Sequence, residues 1–220
     1  MPTEEPAPRL GGEKRRSTMP DWPLVTEWSR LVGSADRDFF HVLGQRRSRV
    51  GGDLPEPTLA AVLRHATQLR EARGDGRFGT WESRTAPSAG GLHALRLLVL
   101  GVGSDIAGLY DCDAHALRAP TDLSAARELN SRSVRELAGA EDGVTLQLVA
   151  DARVYSDCYD AWETLMWRDA GAMAMVLSLV ATALSAKAVI LGRRGDDILF
   201  AAGVPGHWMG AGAIHVSGQC

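Results

Sequence analysis

Residues 161–184 read as one continuous helix, and beyond Asp169 that helix is apolar on nearly every face: Ala170, Gly171, Ala172, Met173, Ala174, Met175, Val176, Leu177, Leu179 and Val180. A helix with no polar face to give to solvent must be central, in a core or at a subunit interface. The small residues Ala170, Gly171, Ala172 and Ala174 admit a second helix at close range. The apolar run 170–186 is broken by Ser178, Thr182 and Ser185 and falls short of the ~20 residues of a membrane span, so a buried helix is expected. Apolar surface of that extent is rare on monomers, which predicts a homodimer.

Around this helix the patterns are mixed. Alternation and apolar runs predict strands over 95–100, 106–110, 116–118, 144–149, 187–191 and 212–216. Helices are expected after an Asp21 cap, after Ser34 or Asp36, from Thr58 to a stop at Gly74-Asp75-Gly76, over 121–137 as a surface excursion, and from Asp196 to Ala202. Helices around a mostly antiparallel sheet make an α+β fold. Residues 1–20, with Pro2, Pro6, Pro8, Gly11-Gly12 and a charged run but no apolar h-region, read as a flexible tail before one domain, 21–220.

The charge of −3 gives no global attraction to nucleic acid or an anionic membrane, so any phosphate binding needs a local cluster. Arg46, Arg47, Ser48 and Arg49 form one, with guanidinium forks and a hydroxyl suited to phosphate; a solvated helix end has the same composition. Cys112, Cys158 and Cys220 are an odd number without metal-ligand spacing and suggest a reducing, cytoplasmic setting; Cys112 and His115 could share a metal, but isolated residues and no metal site are expected. The stretch Pro87-Ser88-Ala89-Gly90-Gly91-Leu92-His93 offers a hydroxyl and little side-chain bulk, so a flat polar ligand could lie on its main chain, but taken alone it reads first as a plain turn into the next strand.

In this order the segments resemble the FMN-dependent nitroreductase superfamily. The loop Pro87–His93, the later Gly108-Leu109-Tyr110-Asp111 and Asp169-Ala170-Gly171 are similar to motifs of its SagB-type branch, whose members oxidise peptide thiazolines or oxazolines with FMN as hydride acceptor. The resemblance implies an interlocked homodimer with FMN at its interface. Arg46, Arg47 and Ser48 would hold the flavin phosphate, Ser88, Ala89, Gly90 and Gly91 would lie along the ring, and Gly192, Arg193 and Arg194 would form a glycine turn beside it. Two positions depart from the pattern: Val50 replaces a basic residue, and Asp157-Cys158 stand where that branch has a Lys-Tyr pair. Tyr155, Asp157, Tyr159 and His93 are the candidate acids or bases in its place. Three functions follow: an FMN dehydrogenase of a peptide-derived or other natural-product intermediate, a nicotinamide-dependent reductase of nitro, quinone or enone compounds, and a non-catalytic subunit serving a partner enzyme.

Overall fold

The computed structural model describes residues 4–30 and 36–219. In chain order they form β1 (Ala7–Pro8), β2 (Leu24–Glu27), α1 (Phe39–Gln45), α2 (Glu56–Thr67), β3 (Leu69–Gly76), β4 (Gly79–Arg84), β5 (Leu95–Val102), β6 (Ala107–Asp111), β7 (Ala116–Arg118) and α3 (Ser124–Ala138). Then follow β8 (Gly143–Asp151), α4 (Ala152–Cys158), β9 (Tyr159–Asp160), α5 (Glu163–Ala183), β10 (Lys187–Leu191), α6 (Asp196–Ala201) and β11 (Trp208–Ser217).

Seven strands make one antiparallel sheet in the order β10-β11-β8-β5-β6-β7-β2. Strand residues alternate between faces, and β5 shows the consequence. Leu95, Leu97 and Val99 enter the core formed with α2 and α5, while Leu98 and Leu100 enter a second core with α3 and α6. The sheet is therefore covered on both faces, which explains why β5 reads as a nearly unbroken apolar run and why every residue of β8 is buried, Thr145 and Gln147 included. By length and composition α5 could cross a membrane, but half of it is packed inside the protein, against α2, β10 and β11.

Several expectations are corrected. The Asp21 segment is the edge strand β2, not a helix: its backbone pairs with β7, a partner ninety residues away that local capping signals do not reveal. Asp38 caps α1, accepting from the His41 amide at 3.0 Å, whereas Ser34 lies outside the described residues. The helix opened near Thr58 stops at Thr67, not at Gly74–Gly76, because residues 69–76 pair with β4 as a hairpin. The expected helix 161–184 begins at Glu163, after the separate short helix α4. Helix α3, expected at the surface, buries Ala126, Asn130 and Val134 against the sheet.

Residues 4–20, read as a tail, are laid over the domain. Ala7 and Pro8 pair with Asp160 and Tyr159, the Arg9 amide donates to the Cys158 carbonyl, and the Lys14 amide donates to the Phe78 carbonyl at 2.9 Å. Such backbone pairing depends on distant partners and carries no local apolar signal, so composition alone reads as a tail.

Candidate functional site

The loop before β5 is organised by one buried carboxylate. Asp169, in the first turns of α5 and 6% exposed, accepts from the Ser88 hydroxyl at 2.5 Å, the Ala89 amide at 3.0 Å and the Tyr155 hydroxyl at 2.9 Å. Burying a carboxylate is tolerable only when its oxygens are supplied with donors, and these three supply them. Ser88 Oγ in turn accepts from the His93 amide at 3.0 Å. The Ser88 hydroxyl hydrogen is thus committed to Asp169, and Ser88 acts as a staple inside the loop. The amides of Gly91 and Leu92 also bond within the loop, to the Ser88 and Ala89 carbonyls. The loop therefore presents fewer free donors than its composition suggests.

Gly90 and Gly91 have φ of 60° and 67°, a region that favours glycine. Their bareness also has a local cause. A Cβ on Gly90 would stand 2.7 Å from the Tyr159 hydroxyl, and one on Gly91 would stand 2.6 Å from Trp81 Cδ1. Tyr159, packed edge-on to Phe78, and Trp81 occupy the space the glycines leave. Between the loop, β5 and α5 is a cavity of ≈ 30 Å³, room for a water or two, lined by Ser88, His93, Arg84, Arg96, Cys112 and Asp169.

The four candidate acid-base residues have separate surroundings. Tyr155 is fully buried, stacks on Trp162, and has its phenol pKa pushed far up by burial and by Asp169. Asp157 pairs with Arg15 at 2.9 Å. His93 is held neutral by burial, its Nε2 2.9 Å from the Glu82 carbonyl oxygen. Tyr159, half-buried beside Gly90, has its pKa raised by burial. Only Tyr159 therefore keeps a hydroxyl without an assigned partner among the described residues.

Sequence reasoning gave no signal for Lys14. Its Nζ donates to the Gly91 carbonyl at 3.1 Å and lies 4.0 Å from Glu82, and burial, the largest influence, lowers its pKa. The lysine reaches the loop from a segment 77 residues upstream, so no motif links the two.

A second feature is the basic segment between α1 and α2. Arg47 and Arg49 line a pocket of ≈ 480 Å³ with Arg37, His41, Lys187 and Gln219. Arg47 Nη1 is fixed by the Gly44 and Arg46 carbonyls, 2.8 Å each, and the Ser48 backbone bridges to Ala188 of β10. Arg37, Arg47 and Arg49 form no ion pair among the described residues. Arg46 and the Ser48 side chain are not part of the pocket wall. Arg37 and Lys187 were missed because they are distant in sequence, although a cation before a helix and another opening a strand are visible once β10 is placed.

At the turn after β10, Gly192 has open space over its α-carbon. Arg194 pairs with Asp196 at 2.9 Å and lies 6.0 Å over the exposed Trp167 ring. Arg193 points elsewhere: its Nη2 donates to Asn130 of α3 at 2.6 Å, and burial lowers its pKa to about 10. Cys112 and His115 have separate partners, which fits isolated residues rather than a shared metal. His115 Nδ1 meets the Tyr110 hydroxyl at 2.7 Å, and Cys112 Sγ lies 3.1 Å from Arg84 Nη1. Cys112 and Cys158 are free thiols, and Cys220 lies outside the described residues.

No protein-family model matches the chain, and no curated protein matches it in sequence. Solved structures do. One named as a nitroreductase from Ralstonia eutropha JMP134 aligns over 99% of both chains with a TM-score of 0.66 at 21% identity. One from Desulfovibrio desulfuricans, named as a nitroreductase in complex with FMN, covers 84% of this chain and 91% of its own, TM-score 0.52, 16% identical. A third from Staphylococcus epidermidis ATCC 12228, named as an NAD(P)H:FMN oxidoreductase, covers 86% and 91%, TM-score 0.55, 15% identical. The chain has the nitroreductase-like fold: a central antiparallel sheet flanked by helices.

Proposed function

We propose that this chain is an FMN-dependent oxidoreductase that works as a homodimer. The observation that carries the reading is the pocket of Arg37, His41, Arg47, Arg49 and Lys187, a cation-rich cradle suited to a phosphate, in a fold seen elsewhere with FMN. A flavin phosphate fits that donor set. Arg47 and Arg49 supply forked guanidinium groups, Lys187 a point charge, and Gly192 an open approach for a ring plane.

Bound flavin would supply hydride chemistry at N5. The chain's own residues would bind the phosphate, hold the loop in one geometry through Asp169 and Ser88, and exclude water with α5 and the Trp81–Phe78 hairpin. Among the described residues the phosphate pocket and the cavity at Ser88 share no lining residue. A second copy that docks on α1 and α5 would complete the site. Phe39, Phe40, Trp167 and Met175 expose apolar side chains there, 41–76% accessible.

The reaction favoured is reduction of a small electrophile by a nicotinamide donor, because that chemistry needs no dedicated carbon base and three of the four candidate bases are committed to internal partners. One observation supports the other reading, dehydrogenation of an azoline-type peptide intermediate: Lys14 Nζ and the Tyr159 hydroxyl flank the Gly90–Gly91 turn from opposite ends of the sequence. Purified protein is expected to be yellow and to bleach within seconds when mixed anaerobically with NADH or NADPH. Arg47→Ala is expected to weaken FMN binding by about 1.5–3 kcal/mol, with Arg15→Ala unchanged. Absence of flavin binding in the wild type refutes the assignment; flavin bound but reduced only by an azoline peptide moves it to the dehydrogenase.

A further inference from the structure

A second pocket, separate from the basic pocket, opens where the N-terminal segment crosses the turn between β6 and β7. It has a volume of ≈ 580 Å³ and is lined by Arg16, Ser17 and Thr18 of the N-terminal segment, by Arg30 and Arg96, and by the 111–114 turn. Three arginines therefore line one space.

Their charges are not neutralised by the two acids nearby. Asp111 accepts from the Asp113 and Ala114 amides through Oδ1 and pairs with Arg118 through Oδ2 at 3.1 Å. Asp113 pairs with Arg84 at 3.2 Å. Neither Arg118 nor Arg84 lines the pocket. Among the described residues Arg16, Arg30 and Arg96 have no carboxylate partner. Their hydrogen bonds go to neutral groups: Arg30 donates to the Asp113 carbonyl at 2.8 Å and Arg96 to the Ser17 carbonyl at 3.1 Å. The buried Nε of Arg96 has no partner among the described residues.

The volume is that of a small-molecule site and far exceeds what a bare ion needs. Met19 and Ala114 add apolar wall beside the cations. We infer that this pocket binds a small organic molecule through a carboxylate or phosphate held by Arg16, Arg30 and Arg96. The pocket shares Arg96 and Cys112 with the cavity beneath Ser88 and Asp169, so an occupant would touch the far wall of the loop's support. The inference does not depend on the flavin reading, since none of its residues belongs to the proposed phosphate cradle.

The test is a site-resolved titration of amide NMR signals with citrate and, separately, inorganic phosphate, at constant ionic strength held with chloride. Thr18 and Ala114 report on this pocket, and Gln45 and Ala186 on the basic pocket near α1. Saturable shifts at Thr18 and Ala114 are expected with at least one probe, and the stronger probe tells carboxylate from phosphate. In the Arg16→Gln, Arg30→Gln double variant the affinity read at these amides is expected to fall about tenfold or more, as for lost charge-assisted hydrogen bonds. The variant's amide spectrum away from this pocket should match that of the wild type, showing that it is folded. In Arg47→Gln, Arg49→Gln the reverse pattern is expected. A response confined to Gln45 and Ala186, no response at either pair, or Thr18 and Ala114 shifts unchanged in the Arg16, Arg30 variant overturns the inference.

Discussion

Replacing Asp169 by Asn tests how the loop is held. The carboxylate is isosteric with the amide, so packing is preserved and the change lies in charge and donors. Asn can still accept from the Ala89 amide with its oxygen. Its NH2 then stands where Oδ2 receives both the Ser88 hydroxyl at 2.5 Å and the Tyr155 hydroxyl at 2.9 Å. Two donors lose a charged acceptor in a buried place. Hydrogen bonds to charged groups contribute about 1.5–3 kcal/mol each, and reorientation of the hydroxyls recovers part, so a net loss of about 2–4 kcal/mol is expected. The assay is urea unfolding followed by tryptophan fluorescence, with Asp160→Asn as the control. Asp160 pairs with Arg9 at 2.7 Å, but both side chains are about half exposed, and an ion pair of that kind contributes roughly 0–1 kcal/mol. A double-mutant cycle with Tyr155→Phe should show coupling of about 1 kcal/mol or more, since the two side chains share one bond. If Asp169→Asn unfolds within about 0.5 kcal/mol of the wild type, or if the two substitutions add without coupling, Asp169 does not anchor the loop.

Three further outcomes are expected. Gly91→Ala forces a side chain into a left-handed φ of 67° and 2.6 Å from Trp81, and should cost about 2–3 kcal/mol by thermal unfolding, while Gly139→Ala, with no atom within 4 Å, should cost less. His115 is fully buried and its pKa is lowered by burial to about 4 from 6.5. The unfolded chain binds that proton first, so its contribution is intact above pH 6.5 and is lost as pH falls towards 4; His115→Gln should flatten stability over that window by on the order of 2–3 kcal/mol. Met175→Asp, on the exposed side of α5, should give a monomer by light scattering while circular dichroism is retained; an unchanged mass would remove α5 from the proposed interface.

Much of the scaffold is legible from local pattern. The strands 95–102, 143–151 and 187–191 and the long helix α5 carry their own apolar periodicity, because burying a side chain is a property each residue brings with it. The α+β class, the Pro87–His93 loop and the Arg46–Arg49 cluster follow from residue type and order. What only the tertiary structure decides is which polar groups meet. Residues 24–27 and 69–76 become strands because β7 and β4 offer backbone partners, against weak local preference. Arg193 turns towards Asn130 on α3 while its neighbour Arg194 pairs with Asp196, and nothing in the four letters Gly192-Arg193-Arg194-Gly195 distinguishes those fates. Asp169, Ser88, Tyr155 and Lys14 are scattered over more than 150 residues, and hydrogen bonds are short-ranged and directional, so their meeting exists only once the sheet has brought α4, α5, the loop and the N-terminal segment together.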